Sequence, residues 1–557
     1  MAGNESELFP QLDHDKRSGF CRQTGTYHSL HRLPLDPNPS EVSNVAAFVL
    51  SNLLDVAGEK PAFIDAATGY VLTYYHLRRS VLSLATALRS LGLRPGNTVL
   101  LLSPNSIIYP VVTLGILVTG AAVSPANPVN TPAEIEKQAL DSGAVLAISA
   151  PDLAHKLASL SIPILLTTRS PSDESALSAE ELIEGADPEE VTSPSTASDV
   201  AVLLYSSGTT GASKGVKLTH ANLIATLKLL KWTVDVSSAR DDVYLGFLPM
   251  FHVYGLAFFA LGLPSVGTTT VVMSRFELQA MMEAVERFKI SNIPAVPPVL
   301  VAMLKNDGEI KLDLSNLRRI ITGAAALAPA TGREFRRRFP WVELRQGYGL
   351  TESSGAATYF AASEEAKKRE EAVGRLLPWF EARVVDVASG KTVGPGEEGE
   401  LWLKGPTVMA GYLGNDVATS ETLDRDGWLR TGDLVFIDED GFVYIVDRIK
   451  ELIKHNGYQV APAELEAVLV RHPDILDAAV VPMEDEESGQ IPVAFVVKLA
   501  GSELTSEDVI QFVAGQVAPY KKIRRVGFIN AIPRSMAGKI LRKQLVALIK
   551  QAPHSKL

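Results

Sequence analysis

The sequence predicts an α/β protein with a large N-terminal domain and a small α+β C-terminal domain. Apolar strand-like runs alternate with helical patterns through about the first 400 residues, which is typical of parallel sheets covered by helices. From residue 373 the pattern changes to short strands with glycine-rich turns, and a charge-rich unit begins at Asp447. We therefore expect domains at residues 1–446 and 447–557, with a β-rich subdomain ending the first.

Each element of this alternation has its own local signal. The strands expected from short apolar runs are residues 97–102, 145–149, 162–166 and 200–204, and the expected helices are residues 80–91, residues 277–289 and a stretch beginning near His220. Residues 168–199 are rich in Ser, Glu, Asp and Pro, so we expect a surface excursion there.

The β-rich part is predicted from alternating side chains. Strands are expected at residues 382–386, 399–403 and 443–446. The acidic turn Asp438-Glu-Asp-Gly441 comes before the last of these and predicts a hairpin. The residues that follow alternate helix and strand, as in a small α+β domain.

Composition excludes several classes of function. The net charge of −11 argues against non-specific nucleic-acid binding. The single cysteine, Cys21, excludes a disulfide framework and argues against a thiolate metal site or a covalent thioester to the protein. His28 and His31 form an H-x-x-H pair without a second ligand pair, so we predict no structural zinc.

Membrane and secretion signals are not expected. The first residues have neither a basic region nor an apolar core, so they do not resemble a signal peptide. Residues 106–130 and 245–274 are nearly free of charge but contain Pro and Gly. We interpret them as buried strands and core helices rather than as membrane spans.

A phosphate-binding loop is the strongest functional signal. The segment is Tyr205-Ser-Ser-Gly-Thr-Thr-Gly-Ala-Ser-Lys-Gly-Val-Lys-Leu-Thr-His220, which follows an apolar strand. Glycines let backbone N–H groups approach a phosphate, hydroxyls donate hydrogen bonds, and Lys214 supplies positive charge. The spacing differs from that of the P-loop of GTPases and ATPases. A flexible surface turn is the alternative interpretation.

Further motifs follow in a fixed order. They are Pro249-Met-Phe-His-Val-Tyr-Gly255, Gly323-Ala-Ala325, Gln346-Gly-Tyr-Gly-Leu-Thr-Glu352, Thr431-Gly-Asp433, Asp447-Arg-Ile-Lys-Glu-Leu-Ile-Lys454 and Gly538-Lys-Ile-Leu-Arg542. Together with the phosphate loop they resemble the adenylate-forming family of acyl-CoA synthetases, 4-coumarate:CoA ligases and beetle luciferases. The leader, with Arg17-Ser-Gly-Phe-Cys21 and Tyr27-His-Ser-Leu30, resembles the plant 4-coumarate:CoA ligase-like branch of peroxisomal type.

The resemblance implies a two-step reaction that uses ATP, Mg²⁺ and coenzyme A. A carboxylate attacks the α-phosphate of MgATP and releases pyrophosphate, and the thiol of coenzyme A then displaces AMP. The first step brings anions together, so it needs positive charge, backbone donors and a metal where charge develops.

The resemblance also assigns nucleotide contacts. The residues expected to cradle the β- and γ-phosphates are Ser206, Ser207, Gly208, Thr209, Thr210 and Lys214. Thr351 is expected at the α-phosphate and Glu352 at Mg²⁺, although an acidic residue beginning a helix would be the plain alternative for Glu352. The residues expected to flank the adenine and acyl groups are Ala324, Gln346 and Gly347. Asp433, assisted by Arg448, is expected to accept from the ribose hydroxyls.

The C-terminal motifs imply a domain that alternates between two arrangements. Lys539 matches the adenylation lysine, which neutralises charge between carboxylate and α-phosphate, and Asp447 matches the hinge. The residues expected to face coenzyme A are Arg275, Lys454, Asn456 and Gly457, and those expected at the nucleotide in one of the two states are Lys450 and Gln459. His252 matches a histidine that closes over the acyl pocket. Such alternation lets one site run two reactions.

The acyl pocket departs from that of 4-coumarate ligases. A Pro-Val pair in those ligases is replaced by Gly355 and Ala356, so a wider pocket is expected. Ile321 replaces a lysine that can meet a phenolic hydroxyl, whereas the aromatic wall residue Tyr254 is retained. We therefore expect a medium- or long-chain aliphatic acid, or a cyclopentanone-bearing jasmonate precursor. Gly355→Pro with Ala356→Val is expected to restore preference for small cinnamates.

Three other functions stay open at the sequence level. They are a hydroxycinnamate ligase, a luciferase-like oxygenase and a catalytically inactive binding protein, although Lys539 and Glu352 are both present. The terminal Ser555-Lys556-Leu557 matches the tripeptide that peroxisomal import receptors recognise, which predicts a peroxisomal protein, with the cytoplasm as the alternative.

Overall fold

The structure is a computed structural model that describes residues 14–34, 36, 42–173, 175–189, 195–206, 214–306, 312–456, 458–485, 487–535 and 538–551. The phosphate-loop residues Ser207, Gly208, Thr209 and Thr210, the predicted coenzyme A residue Gly457 and the terminal Ser555-Lys556-Leu557 lie outside the described residues.

The strands of the N-terminal part are β1 (Phe20–Cys21), β2 (Thr26–His28), β3 (Pro61–Asp65), β4 (Val71–Thr73), β5 (Thr98–Leu102), β6 (Ala122–Ala126), β7 (Ala144–Ser149), β8 (Ile164–Leu166), β9 (Val200–Ser206), β10 (Lys214–Thr219), β11 (Val243–Gly246), β12 (Thr269–Val272), β13 (Asn292–Ala295), β14 (Arg319–Thr322), β15 (Glu343–Gln346), β16 (Tyr348–Leu350), β17 (Gly355–Tyr359), β18 (Arg375–Leu376), β19 (Glu381–Val385), β20 (Gly399–Lys404), β21 (Gly411–Tyr412), β22 (Leu429–Ile437) and β23 (Val443–Arg448).

The helices of this part are α1 (Val45–Leu53), α2 (Tyr74–Ser90), α3 (Ile108–Val118), α4 (Pro132–Ser142), α5 (Ala179–Gly185), α6 (His220–Val236), α7 (Val253–Gly255), α8 (Leu263–Val266), α9 (Leu278–Phe288), α10 (Pro297–Lys305), α11 (Pro329–Arg338), α12 (Ser363–Lys368) and α13 (Asp416–Thr422). A π-helix, Leu256–Gly262, joins α7 to α8, and a 3₁₀-helix spans Pro151–Leu157.

Two largely parallel sheets carry the N-terminal part. One has the order β21-β10-β9-β6-β5-β7-β8 and is parallel from β9 to β8, and the other has the order β15-β14-β13-β11-β12-β3-β4 and is parallel except at β4. An antiparallel sheet, β1-β2-β19-β20-β22-β23, forms the β-rich part, and β16-β17-β18 form a smaller antiparallel sheet. The central parallel strands are buried on both faces, as in β5 and β6, where every residue is buried.

The C-terminal part has its own cores. It contains β24 (Ile453–His455), β25 (Tyr458–Val460), α14 (Pro462–Leu469), β26 (Ile475–Asp485), β27 (Gly489–Lys498), α15 (Ser506–Ala514), β28 (Arg525–Phe528) and α16 (Arg542–Gln551), with 3₁₀-helices at Ile449–Glu451 and Pro519–Lys521. The largest apolar cluster reaches along the chain as far as Val443, whereas the C-terminal clusters begin at Ile453.

The predicted α/β fold class is confirmed, and so are the predicted strands and helices, with ends shifted by a few residues. Two features were not predicted. The leader supplies β1 and β2 to the antiparallel sheet, which buries Cys21 completely, and the surface excursion contains the short helix α5.

No helix in the described part of the chain has both the length and the apolar character needed to cross a membrane.

A largely buried arginine ties the C-terminal helix to the residues just after β23. The Arg542 Nε donates to Glu451 at 2.6 Å, and its guanidinium also contacts Glu466 on α14 and donates to the carbonyl of Val480 at 3.0 Å. The side chains of Arg542 and Glu466 are only 14% and 15% exposed. Removing the arginine would therefore leave a largely buried carboxylate without its counter-ion.

We predict that Arg542→Met destabilises the C-terminal part by about 3–5 kcal/mol, because the loss of one partner of a buried pair costs this much. Hydrogen exchange followed by mass spectrometry should show faster exchange in α14 and β26. Arg17→Met is the matched control, since Arg17 pairs with Asp440 at an exposed site. Equal exchange in Arg542→Met and wild type would contradict a stabilising role.

Candidate active site

One cavity of about 980 Å³ collects most of the predicted site residues. It opens where parallel strands end. Tyr205 lies at the end of β9, Pro249 follows β11, and Gly323 follows β14, and all three line the cavity. Ligands of open α/β sheets bind outside the carboxyl ends of the strands, so the fold itself directs a ligand to this place.

The predicted residues divide into three groups. Those that line the cavity are Lys214, His252, Tyr254, Ile321, Ala324, Gly347, Thr351, Glu352, Gly355, Ala356, Arg448, Lys450 and Lys539. Those described but not lining it are Arg275, Gln346, Asp433, Lys454, Asn456 and Gln459. Of Ser206 only the backbone is described, and it ends β9 opposite Lys214.

Lys539 enters the cavity from the C-terminal part. Lys539 is exposed to the cavity, but protein groups surround it and remove part of its contact with water. This desolvation lowers the pKa of the ammonium group, as does the charge of Arg448, while Asp433 and Glu352 act in the opposite direction. The preceding Gly538 has φ +78°, and a Cβ there would lie 3.3 Å from Pro298 Cδ, so the loop packs closely against the N-terminal part.

Asp433 lies just behind the cavity wall with its carboxylate fixed on both oxygens. The hydroxyl of Tyr348 donates to Oδ2 at 2.5 Å, and Arg448 Nε is 3.0 Å from Oδ1. Burial raises the pKa of this carboxyl, although Arg448 opposes the rise. The side chain of Asp433 is 3% exposed. For the predicted contact, the ribose hydroxyls would have to pass between the neighbouring residues that line the cavity.

Asp447, the predicted hinge, connects a strand to a helix. It pairs with Leu434 in the antiparallel sheet, and its carboxylate accepts from the N–H of Arg448 at 2.7 Å and from the N–H of Ala463 at 2.9 Å. Ala463 lies in the first turn of α14, so Asp447 caps that helix from 16 residues away. Burial raises the pKa of Asp447 to about 6.

His252 is held neutral beside Lys539. Its Nδ1 accepts from the N–H of Tyr254 at 3.3 Å and so caps α7. This hydrogen bond places the ring proton on Nε2. Burial, followed by the charge of Lys539, lowers the pKa of His252 from 6.5 to about 4.

The residues around Glu352 fit a magnesium ion that arrives with the nucleotide. Its carboxylate lines the cavity and accepts from the Tyr412 hydroxyl at 3.0 Å. Among the described residues there is no group of three or more His, Cys, Asp or Glu side chains that could form a cage. Mg²⁺ commonly binds through one or two carboxylates together with substrate phosphates and water, which matches this donor set.

At the end of the cavity that holds Tyr254, Gly355 and Ala356, further lining residues were not indicated by the motifs. Thr226, Leu229, Leu230 and Thr233 form one stripe of α6, and Phe258 of the π-helix packs edge to face on Tyr254 with ring centroids 5.9 Å apart. The other lining residues of this end are Ala257, Tyr359 and Leu377. The i, i+3, i+4, i+7 spacing of the α6 stripe was available in the sequence, but it is equally typical of a core helix.

Gly355 has a backbone that restricts substitution. Its φ is +127°, and a Cβ there would meet only Thr226 Cγ2, at 3.9 Å. The space is open, as expected for a wide pocket. Proline fixes φ near about −65°, so the expectation that Gly355→Pro would simply restore bulk is wrong for this backbone.

The remaining predicted residues lie away from the cavity. The Gln346 side chain donates to the carbonyl oxygens of Glu370 at 2.7 Å and Ala372 at 3.5 Å, so its amide is engaged within the protein. Lys454, Asn456 and Gln459 are exposed on the β24–β25 hairpin, and Arg275 is exposed near β12. Among the residues it describes, the structure therefore brings together most of those expected at the nucleotide but not Arg275, Lys454 and Asn456, which were expected to face coenzyme A.

Comparison with known proteins gives the family. Residues 54–413 match the AMP-binding enzyme family, and residues 464–539 match the AMP-binding enzyme C-terminal domain. The chain belongs to the AMP-binding enzyme family. It is an AMP-forming acyl-CoA synthetase that uses ATP, Mg²⁺ and coenzyme A, as the motifs predicted.

The similarity extends over almost the whole chain. Peroxisomal OPC-8:0-CoA ligase 1 of Arabidopsis thaliana is 46% identical over 96% of this chain and 98% of its own length. Probable CoA ligase CCL5 of Humulus lupulus is 45% identical over the same shares. The crystal structure of ATP-bound MatB from Rhodopseudomonas palustris superimposes with a TM-score of 0.83 at 27% identity, covering 91% of this chain and 99% of MatB.

We predict that Lys539→Met raises the pKa of His252 from about 4 part of the way towards 6.5, because one of the two causes of its depression is removed. Histidine-labelled protein titrated by NMR measures this, with His252→Gln to assign the signal. Lys450→Met is the control, since Lys450 also lines the cavity but does not depress this pKa. An unchanged pKa in Lys539→Met would show that Lys539 is not beside His252 in solution.

Proposed function

We propose that this acyl-CoA synthetase activates a medium- or long-chain aliphatic acid or a cyclopentanone-bearing acid of the jasmonate-precursor type. The observation that carries the proposal is the open acyl end of the cavity, where Ala356 lines the wall and a Cβ at Gly355 would meet only Thr226 Cγ2, at 3.9 Å. Ile321 offers no charge to a phenolic hydroxyl, which disfavours hydroxycinnamates. The relative named OPC-8:0-CoA ligase supports the same substrate class.

The cavity residues have separate roles in the first step. The substrate carboxylate forms a bond to the α-phosphorus of ATP, and the bond from that phosphorus to the β-bridging oxygen breaks, releasing pyrophosphate. Lys539 and Thr351 stabilise the charge at the α-phosphate, and Lys214 binds the leaving phosphates. Glu352 holds Mg²⁺, which neutralises phosphate charge when bound. His252, being neutral, closes the acyl pocket without repelling Lys539.

The second step needs another arrangement of the C-terminal domain. In this step the thiolate of coenzyme A attacks the acyl carbon and expels AMP. The residues expected to face coenzyme A are exposed away from the cavity in the present arrangement; they are Lys454, Asn456 and Arg275. A rotation at Asp447 would withdraw Lys539 and bring this second set forward. The division into residues 1–446 and 447–557 is supported by the gap between the apolar clusters, from Val443 to Ile453.

A panel of acids tests the substrate class. Purified protein is given MgATP, coenzyme A and hydroxycinnamic, medium-chain, long-chain and cyclopentanone acids, and acyl-CoA and AMP are measured by mass spectrometry. We expect aliphatic or cyclopentanone acyl-CoA products with equimolar AMP. We also expect Ala356→Val to lower kcat/KM for these acids by about 10-fold, and less for cinnamates, because the branched side chain narrows the open end.

Two controls make the panel decisive. Ala388→Val introduces the same side chain at an exposed alanine outside the cavity, and it should change no substrate. Exclusive formation of 4-coumaroyl-CoA would overturn the proposed substrate, and so would an unchanged ranking of acids in Ala356→Val. Oxygen-dependent light emission would point instead to the luciferase-like alternative.

We place the protein in the peroxisome. A relative with 46% identity carries the peroxisomal location in its name, and Ser555-Lys556-Leu557 matches the tripeptide that peroxisomal import receptors recognise. A fluorescent protein fused to the N-terminus should colocalise with a peroxisomal marker, and removal of residues 555–557 should disperse it. Replacing residues 552–554 with glycine is the control and should preserve the punctate signal. Dispersed fluorescence of the intact fusion would overturn the assignment.

A further inference from the structure

A short segment, residues 409–413, joins the loop of Glu352 to the strand that begins with Lys214. The N–H of Met409 donates to the carbonyl of Glu352 at 2.8 Å. Beyond it, Leu413 N–H donates to the carbonyl of Gly215 at 2.8 Å, and β21 pairs with β10 in antiparallel register. One backbone segment therefore fixes the spacing between the two charged groups that the proposed function assigns to MgATP.

The side chain of Tyr412 also links Glu352 to Lys214. Its hydroxyl donates to Glu352 Oε1 at 3.0 Å, and Lys214 Nζ lies over its ring, 4.9 Å from the centroid. The residue is 6% exposed and lines the cavity. Its two ends thus meet an acidic and a basic group, through a hydrogen bond and a cation–π contact.

The tyrosine itself is held rigidly. Its N–H donates to Thr419 Oγ1 at 2.9 Å, and its partner in β10 is Val216. The preceding Gly411 has φ +126°, and a Cβ there would lie 2.8 Å from Thr419 Cγ2, so the backbone approach depends on glycine.

We propose that Tyr412 is a positioning residue for MgATP, whose hydroxyl orients the Glu352 carboxylate while its ring places the Lys214 ammonium. This inference rests on the proposed roles of Glu352 and Lys214. A carboxylate that can rotate presents its oxygen to a cation only part of the time, whereas a carboxylate held by a hydroxyl is oriented before the ion arrives. Outer groups that orient metal ligands typically change metal affinity by about 10- to 100-fold.

Two substitutions separate the two ends of the side chain. Tyr412→Phe keeps the ring over Lys214 and removes only the hydroxyl, so the Mg²⁺ concentration for half-maximal pyrophosphate release should rise about 10-fold. Tyr412→Leu also removes the ring, so it should in addition weaken the binding of ATP without Mg²⁺, measured by calorimetry. Mn²⁺ binding to the ATP complex, followed by electron paramagnetic resonance, gives a readout that is independent of turnover.

A double-mutant cycle tests whether Tyr412 acts through Glu352. Glu352→Gln alone should raise the Mg²⁺ requirement, and Tyr412→Phe added to it should raise it no further. Tyr444→Phe is the matched control, because its hydroxyl contacts Asp438 outside the cavity. Thermal unfolding of each variant checks that it folds.

The outcomes distinguish this inference from the proposed function. The positioning role is supported if Tyr412→Phe raises the Mg²⁺ requirement of the wild-type protein but does not raise it further in Glu352→Gln. If Glu352→Gln raises the requirement and Tyr412→Phe does not, or if the two effects multiply, Tyr412 does not act through Glu352 and the inference is overturned. If Glu352→Gln itself leaves Mg²⁺ and Mn²⁺ binding unchanged, the proposed metal role of Glu352 fails, and the inference fails with it.

Discussion

A single lysine, carried by the C-terminal part into a cavity of the N-terminal part, sets the constraint on which the site depends. Withdrawing an ammonium group from water is costly unless opposite charge lies near, and Asp433 and Glu352 supply that charge to Lys539. Each carboxylate is in turn held by a tyrosine hydroxyl, from Tyr348 and Tyr412 respectively. The oriented carboxylates therefore accept the lysine, and under the proposed rotation of the C-terminal domain they would keep their own geometry without it.

The connection between the two parts is equally constrained. Asp447 is the penultimate residue of β23, which is still paired there in the antiparallel sheet, and its carboxylate caps α14 through Ala463. Because burial raises its pKa from 3.8 to about 6, the folded protein binds a proton there that the unfolded chain releases, so this group favours folding less as the pH rises from 3.8 to 6. The two N–H donors partly offset that cost, and a rotation at this residue has to preserve them or replace them with water.

The sequence was most informative about residues that have chemically functional side chains and lie in the loops of the motifs. His252, Thr351, Glu352 and Lys539 were predicted from motifs and do meet in one cavity. The walls could not be predicted in the same way, because an apolar stripe on α6 has the same spacing whether it faces a core or a ligand. Nor could the leader strands. They have two and three residues, too few for an alternation, and β2 pairs with β19 some 350 residues along the chain.

Pocket width illustrates the limit of comparing side chains alone. Small residues at Gly355 and Ala356 did indicate an open acyl end, and that end is open. The glycine, however, adopts φ +127°, a conformation that a proline at the same position cannot share. A Pro-Val pair at these positions, as in 4-coumarate ligases, therefore implies a different backbone at the start of β17 as well as a larger side-chain volume. Under the proposed function, exchange of this residue pair alone is not expected to transfer selectivity for the acid, because the backbone conformation would have to change with it.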